Sequence, residues 1–269
     1  MFKMPYFDNN QVKIHYEIEG QGPDLIMIHG FAANIEINWR QPNWISTLKD
    51  DNRLILVDCR GHGKSDKPYD PKQYGFHMRE DIIKLMDHLS ISKANLFGYS
   101  MGGSITLSVL LSEPSRVNSA VIGGFAPMVI KPELAKQFYE PVIIGLKTQN
   151  KKEIKNPVAL NFRNFADSTG EDLKALVAVM EGNFVMGDEN LKFNSLNDIK
   201  SAFKKVKTPV LSVMGSDDVL ISNKTIFAES MPGACHFQIQ GRDHLTVVPD
   251  ERFHIVVKAF LNYINNKGK

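Results

Sequence analysis

Ser100 lies in Gly98-Tyr99-Ser100-Met101-Gly102, between a short apolar run at 94–97 and a helical one at 105–111. A serine on so abrupt a strand-to-helix turn has a strained backbone, and its neighbours two residues away must lack bulk. Gly98 and Gly102 meet that demand, and Gly103 and Ser104 keep the first helical turn small. To act as a nucleophile at neutral pH, a serine needs a base, a group that orients the base, and donors for a developing oxyanion. Of eight histidines, His244 sits in the loop Gly241-Arg242-Asp243-His244-Leu245, between an expected strand at 237–239 and a C-terminal helix. His15 alternates within a strand while His88 and His254 ride helices, so solvation or capping is expected of them; His77 and His236 have no nameable partner. For the orienting acid, Gly215-Ser216-Asp217-Asp218 places two carboxylates just past a buried strand. Reacting groups in open α/β sheets gather there, outside the carboxyl ends of the strands.

The elements that must position these residues alternate along the chain. Residues 12–18 alternate apolar and polar with period two, as a half-buried strand does. Runs at 25–28, 54–57, 94–97, 120–122 and 210–214 are nearly unbroken apolar stretches, the form of strands buried on both faces of a parallel sheet. Met78, Ile82, Leu85, Met86 and Leu89 mark one helical stripe; Phe253, Val256, Val257, Phe260, Leu261 and Ile264 mark another. The expected fold class is therefore α/β, with a doubly wound, mostly parallel sheet. The alternation breaks over residues 126–196, which read as helical at 132–138, 159–165 and 173–180. So long a stretch without sheet is too long for a loop, so an inserted helical cap is expected, with the core at residues 1–125 and 197–269. Met128, Phe138, Tyr139, Phe162, Phe165, Met180 and Phe184 are expected mainly to form the cap's own core.

Composition narrows the function classes. The chain has 269 residues, 43% hydrophobic and 23% charged, as in a soluble globular protein. A formal net charge of +2 and the lack of a basic tract leave no electrostatic footprint for nucleic acid. The N-terminal residues show no apolar h-region, and no apolar run is long enough to span a bilayer. Cys59 and Cys235 supply neither a disulfide framework nor a zinc spacing. The expectation is a cytoplasmic protein without metal or cofactor, whose partner is a small molecule rather than nucleic acid or membrane. Its oligomeric state is open.

Taken together, five segments resemble those of the α/β-hydrolase fold superfamily, in its serine carboxylesterase-like branch with a helical cap. His29-Gly30-Phe31 is similar to the family's oxyanion turn, and Asp58-Cys59-Arg60-Gly61-His62-Gly63-Lys64-Ser65 to its D-x-R-G-x-G-x-S segment. The Gly98–Gly103 turn resembles the nucleophile elbow, and the Gly215 and Gly241 loops resemble the acid and histidine loops. The chain order Ser, Asp, His is that of elbow hydrolases and of neither chymotrypsin nor subtilisin. The resemblance implies a catalytic set of Ser100, Asp218 and His244, the acid being the residue three after the glycine. It also implies an oxyanion hole built from the backbone N–H groups of Phe31 and Met101. Met101 begins a helix, whose first turn presents free donors and positive dipole. Asp58 and His62 read as structural, holding a tight turn. Arg242 and Asp243 crowd His244 with charge.

By that resemblance Ser100 is expected to form an acyl-enzyme, whereas dehalogenases and epoxide hydrolases of this fold place Asp at the elbow. A carboxylesterase for short to medium acyl groups is therefore expected, with Phe125, Phe138, Leu220 and Leu245 lining the pocket. A lactonase or carbon–carbon bond hydrolase would use the same residues, and a hydrolase-fold ligand receptor could retain them with slow turnover. A carboxylate-bearing substrate would need a cation in the pocket. The insertion offers Arg163 as its one arginine, and its lysines read as surface.

Overall fold

The computed structural model describes residues 5–129 and 132–266. Eight strands form one sheet: β1 (Tyr6–Asn9), β2 (Val12–Glu19), β3 (Asp24–Ile28), β4 (Arg53–Val57), β5 (Ala94–Tyr99), β6 (Val117–Gly123), β7 (Val210–Gly215) and β8 (Ala234–Ile239). Their order is β1-β2-β4-β3-β5-β6-β7-β8. The β1–β2 and β2–β4 pairs are antiparallel, and the rest of the sheet is parallel. The near-continuous apolar runs of β3, β4, β5 and β7 are buried because helices cover both faces. The expected strands are all present, with β6 and β8 longer than the apolar runs alone indicate. The half-exposed β8 lies at the sheet edge, which is why its apolar signal is short.

The sequence pattern missed β1. Only four residues long, it pairs with β2 through a tight turn at Asn10 and Gln11, both at positive φ (54° and 70°). Two consecutive residues at positive φ make the kind of turn whose twist matches a β-hairpin.

The helices are α1 (Trp44–Leu48), α2 (Phe76–His88), α3 (Met101–Ser112), α4 (Pro132–Lys147), α5 (Pro157–Thr169), α6 (Leu173–Val179), α7 (Leu196–Phe203), α8 (Ile226–Ser230) and α9 (Glu251–Asn266). On one sheet face, Trp39, α1 and α9 close a cluster built on Trp44, Phe97, Phe253, Val257 and Leu261. On the other, α2 and α3 pack Met78, Ile82, Leu85, Ile105 and Leu110 against the sheet. The two expected apolar stripes are thus the inward faces of α2 and α9.

Between β6 and β7 the chain is helical. Asn156 caps α5 by accepting from the Ala159 amide, with Pro157 at the first helical position and Gly170 (φ 71°) ending the helix. Asp172 then caps α6, accepting from the Lys174 and Ala175 amides. Residues 180–186 continue α6 in a wider turn. These helices form a cap over the carboxyl ends of the strands.

The order β4-β3-β5 sets the place of the site. The chain leaves β3 to one side for β4 and crosses to the other side for β5. That reversal opens a crevice at the strands' carboxyl ends. Ile28 pairs with Gly98 across β3 and β5, so the turn after β3 and the turn after β5 emerge side by side.

Candidate active site

Ser100 stands between β5 and α3 at φ 53°, ψ −112°. For a residue with a side chain this is a sparsely populated conformation and costs free energy. Close packing enforces it. A Cβ on Gly98 would lie 2.0 Å from the Gly102 carbonyl oxygen, and one on Gly102 only 1.9 Å from that of Ile28. The Ser100 amide donates to the Gly123 carbonyl at 2.8 Å, which ties the turn to the end of β6.

The side chain of Ser100 meets His244, whose Nε2 lies 2.9 Å from Oγ. Nδ1 of the same ring lies 2.7 Å from Oδ2 of Asp218. Asp218 is fully buried, and its other oxygen accepts from the Leu220 amide at 3.0 Å. With a carboxylate on Nδ1, the imidazole carries its proton there and presents a lone pair to the serine. Asp217 is exposed and accepts instead from the Ser216 hydroxyl. The two adjacent acids point apart, as successive residues leaving a strand must.

The charges beside His244 are spent on their own loop. Asp243 accepts from the Thr246 amide and hydroxyl and from the Leu245 amide, and those bonds hold its carboxyl below the usual range. Arg242 pairs with Asp250, which Arg252 also contacts. The sequence did not expose one support: the Tyr99 hydroxyl donates to the His244 carbonyl. Burial pushes that phenol well above its ordinary range, so it remains a donor.

The turn after β3 runs close beside the serine, where a Cβ on Gly30 would lie 3.4 Å from that of Ser100. Gly30 N–H is held by Asn38 Oδ1 at 2.8 Å and Ala32 N–H by His62 Nε2 at 3.1 Å. Among the described residues the Phe31 amide between them has no such acceptor. Met101 opens α3, where first-turn N–H groups lack intrahelical partners. Phe31 and Met101 both line the cavity that contains Ser100.

Asp58, His29 and His62 do more than hold their own turn. His29 accepts from the Cys59 amide at 2.9 Å and donates to the Gly30 carbonyl at 2.8 Å. Asp58 accepts from the Ile35 and Lys64 amides and from His15, at 2.9, 3.0 and 2.9 Å. Burial pushes the Asp58 carboxyl up, but these bonds outweigh it and hold it at about 2. Burial drives His62 down to about 3 and lowers His29, so both rings stay neutral. His15 is buried against Asp58, contrary to the expectation of a solvated or capping role. His254 stacks on Trp44 at 3.9 Å, His236 meets Ser212, His77 pairs with Glu80, and His88 meets Tyr16.

A cavity of about 760 Å³ opens before Ser100 and His244, between the cap and the strand ends. Phe31, Met101, Phe125, Phe138 and Leu220 line it. Leu245 does not: it is 54% exposed and turned away, because the Asp243 turn redirects the chain there. Met128, Tyr139, Phe162, Met180 and Phe184 also line the cavity, while Met180 is buried in the core and Tyr139, Phe162 and Phe184 pack against it, so several of these side chains serve both surfaces. Arg163 is not a pocket cation; it is buried on Asp167 and on the Gly145 and Thr148 carbonyls. Arg79, on α2, and Lys192 line the cavity instead. Arg79 escaped notice because it lies outside the insertion.

No helix among the described residues is long and apolar enough to cross a membrane. The profile of the alpha/beta hydrolase fold family matches residues 23–245. The chain is 25% identical over 223 residues to a pimeloyl-[acyl-carrier protein] methyl ester esterase of Nitrosospira multiformis, covering 78% of this chain and 82% of that one. It is 29% identical over 152 residues to the dihydrolipoyllysine-residue acetyltransferase component of an acetoin cleaving system from Pseudomonas putida, covering 48% of this chain. The chain spans about two fifths of that protein's length, and of the length of a Bacillus subtilis relative. An enol-lactonase from Burkholderia xenovorans LB400 superposes with a TM-score of 0.76 at 21% identity, covering 96% of this chain and 100% of that one. With an elbow serine on a β5–α3 turn, a cap between β6 and β7, and a family match over most of its length, this chain belongs to the α/β hydrolase fold family.

Proposed function

We propose that this protein is a serine hydrolase that cleaves carboxylic esters of short to medium acyl groups. The observation that carries this reading is the continuous hydrogen-bond line from Ser100 Oγ through His244 to buried Asp218. His244 Nε2 takes the serine proton as Oγ bonds to the ester carbonyl carbon. The carbonyl oxygen becomes an oxyanion, and the amides of Phe31 and Met101 donate to it. Asp218 holds the ring in the working tautomer and stabilises the imidazolium. The tetrahedral species collapses, the C–O bond to the alcohol breaks, and His244 returns its proton to the departing oxygen. Water then attacks the acyl-enzyme by the same route, releasing the acid and restoring Ser100.

A serine at this turn suits an acyl group, since its acyl ester is open to water. Every proton in this scheme moves among Ser100, His244, the departing alcohol and water, so EDTA is expected to leave the rate unchanged. Residues 126–196 serve as the cap, whose aromatic side chains suit an apolar acyl chain. The test is labelling with a fluorophosphonate, mapping of the modified residue, and a steady-state panel of p-nitrophenyl esters. The expected result is one label, on Ser100, and many turnovers per protein. A label on another serine, or release of one equivalent followed by arrest, would overturn the reading.

A further inference from the structure

The cavity wall is mainly apolar, but it carries a buried carboxylate, Asp188, beside Ser108 on α3. Along α3, Ser100, Ser104 and Ser108 face it on successive turns. At 1.5 Å per residue, Ser108 lies about 12 Å along the helix from the nucleophile. There the Ser108 hydroxyl donates to Asp188 Oδ2 at 2.7 Å, and Arg79 Nη1 donates to Asp188 Oδ1 at 3.1 Å. The Asn190 amide also donates to Oδ1 at 2.9 Å. Asp188 is buried, and three donors occupy its carboxylate.

Arg79 differs from a purely structural arginine. Arg60, buried at the other side of α2, spends all three of its guanidinium nitrogens on Asp81 and on the Gln73 carbonyl. Arg79 makes one hydrogen bond among the described residues, to Asp188, and keeps its remaining N–H groups for the cavity it lines. Lys192 lines the same end. The charged residues of the cavity wall are therefore Arg79, Lys192 and Asp188, an excess of one positive charge in a chamber that is otherwise mainly apolar, with Ser104, Ser108, Asn156 and Asn183 among its uncharged polar groups.

We propose that Arg79, oriented by Asp188 and assisted by Lys192, is a subsite for an anionic group at the far end of the substrate's acyl chain. A carboxylate is the matching class, because a guanidinium with free N–H groups donates to its two oxygens in a forked geometry. Asp188 and Ser108 hold the guanidinium in place before substrate arrives. At about 1.2 Å per bond of extended chain, a 12 Å reach corresponds to roughly ten bonds between the ester carbon and the anion. The preferred substrate is then a half-ester of a medium-length dicarboxylic acid, the apolar middle of which lies along α3. This rests on the ester-hydrolase reading above.

The test compares three series of methyl esters, with chains of about eight to twelve carbons ending in carboxylate, methyl or ammonium. In the wild-type protein the carboxylate series is expected to exceed the methyl series in kcat/KM by on the order of tenfold or more, chiefly through KM, with ammonium lowest. Arg79→Gln is expected to bring the carboxylate-to-methyl ratio to within about twofold of unity, and Lys192→Met to lower it less. The ratio is read within each variant, so a slower enzyme still reports it. The wild-type charge series decides the matter even if a variant does not fold. Turnover of methyl-terminated esters at Ser100 with no charge discrimination overturns the subsite and leaves the hydrolase reading standing. Failure of all three series, with no fluorophosphonate label on Ser100, overturns both.

Discussion

Ser100 combines two demands that oppose each other. Its Oγ must stand clear of the sheet to meet His244, and that exposure is obtained with a backbone at φ 53°. Glycine adopts that conformation without the steric cost, so Ser100→Gly should stabilise the protein by about 1 kcal/mol while abolishing ester turnover. Urea denaturation measures this, and an unchanged midpoint would mean that the turn stores no strain. The adjacent acids separate just as sharply. Asp218 is buried on His244 and Asp217 faces solvent. Asp218→Asn leaves the ring in the wrong tautomer, so kcat should fall by on the order of 10³ to 10⁴ with little change in KM. Asp217→Asn should cost roughly tenfold or less. A crippled Asp217→Asn enzyme beside a nearly normal Asp218→Asn one would reverse the assignment.

Among the elements, the β3–β5 pairing brings two turns together, and a third segment locks them. Residues 58–65 hold the turn after β3 through Asp58 and His62, and the cap joins this lattice through Glu171. That carboxylate, between α5 and α6, accepts from the Gly63 amide and from Asn34 Nδ2 at 2.9 Å. Next to it, Asp172 accepts from the Tyr69 hydroxyl. Glu171→Ala would leave the part-buried Gly63 and Asn34 donors without this partner, which should lower stability by about 1 kcal/mol and speed proteolysis within the cap. Equal stability and equal cleavage rates would show that the cap is anchored elsewhere. This is also where the sequence stops being legible. Strands β3, β4, β5 and β7 declare themselves because burial on both faces leaves only apolar residues. The elbow declares itself because close approach leaves only glycine at Gly98 and Gly102. Glu171, Arg79 and His15 carry no such signature, since their partners lie 108, 109 and 43 positions away in the chain. Leu245 misled for a related reason: a side-chain bond from Asp243, invisible to periodicity, sets its direction.

For the molecule as a whole, the two apolar layers on either side of the sheet are insensitive to pH, but the lattice beneath the cap is not. His62 titrates at about 3 in the folded protein and near 6.5 when exposed, because burial excludes its charged form. Between those values the unfolded chain binds the extra proton, so stability rises with pH and is lost as pH falls from about 6.5 toward 3. Burial lowers His29 in the same direction and adds to the slope. The Asp58 carboxyl, held at about 2 against 3.8, extends the loss to lower pH with the same sign. Each proton taken up on unfolding steepens the dependence by about 1.4 kcal/mol per pH unit. Chemical denaturation between about pH 4 and 7 should therefore show stability climbing with pH and levelling near neutrality. His62→Gln keeps an acceptor near the Ala32 amide but removes the titrating ring. It should be less stable than the wild type at pH 7, and its stability should vary with pH by about one proton less. An identical slope in the two proteins would mean that His62 takes up its proton without unfolding, and that the lattice holding the Phe31 turn tolerates a buried imidazolium.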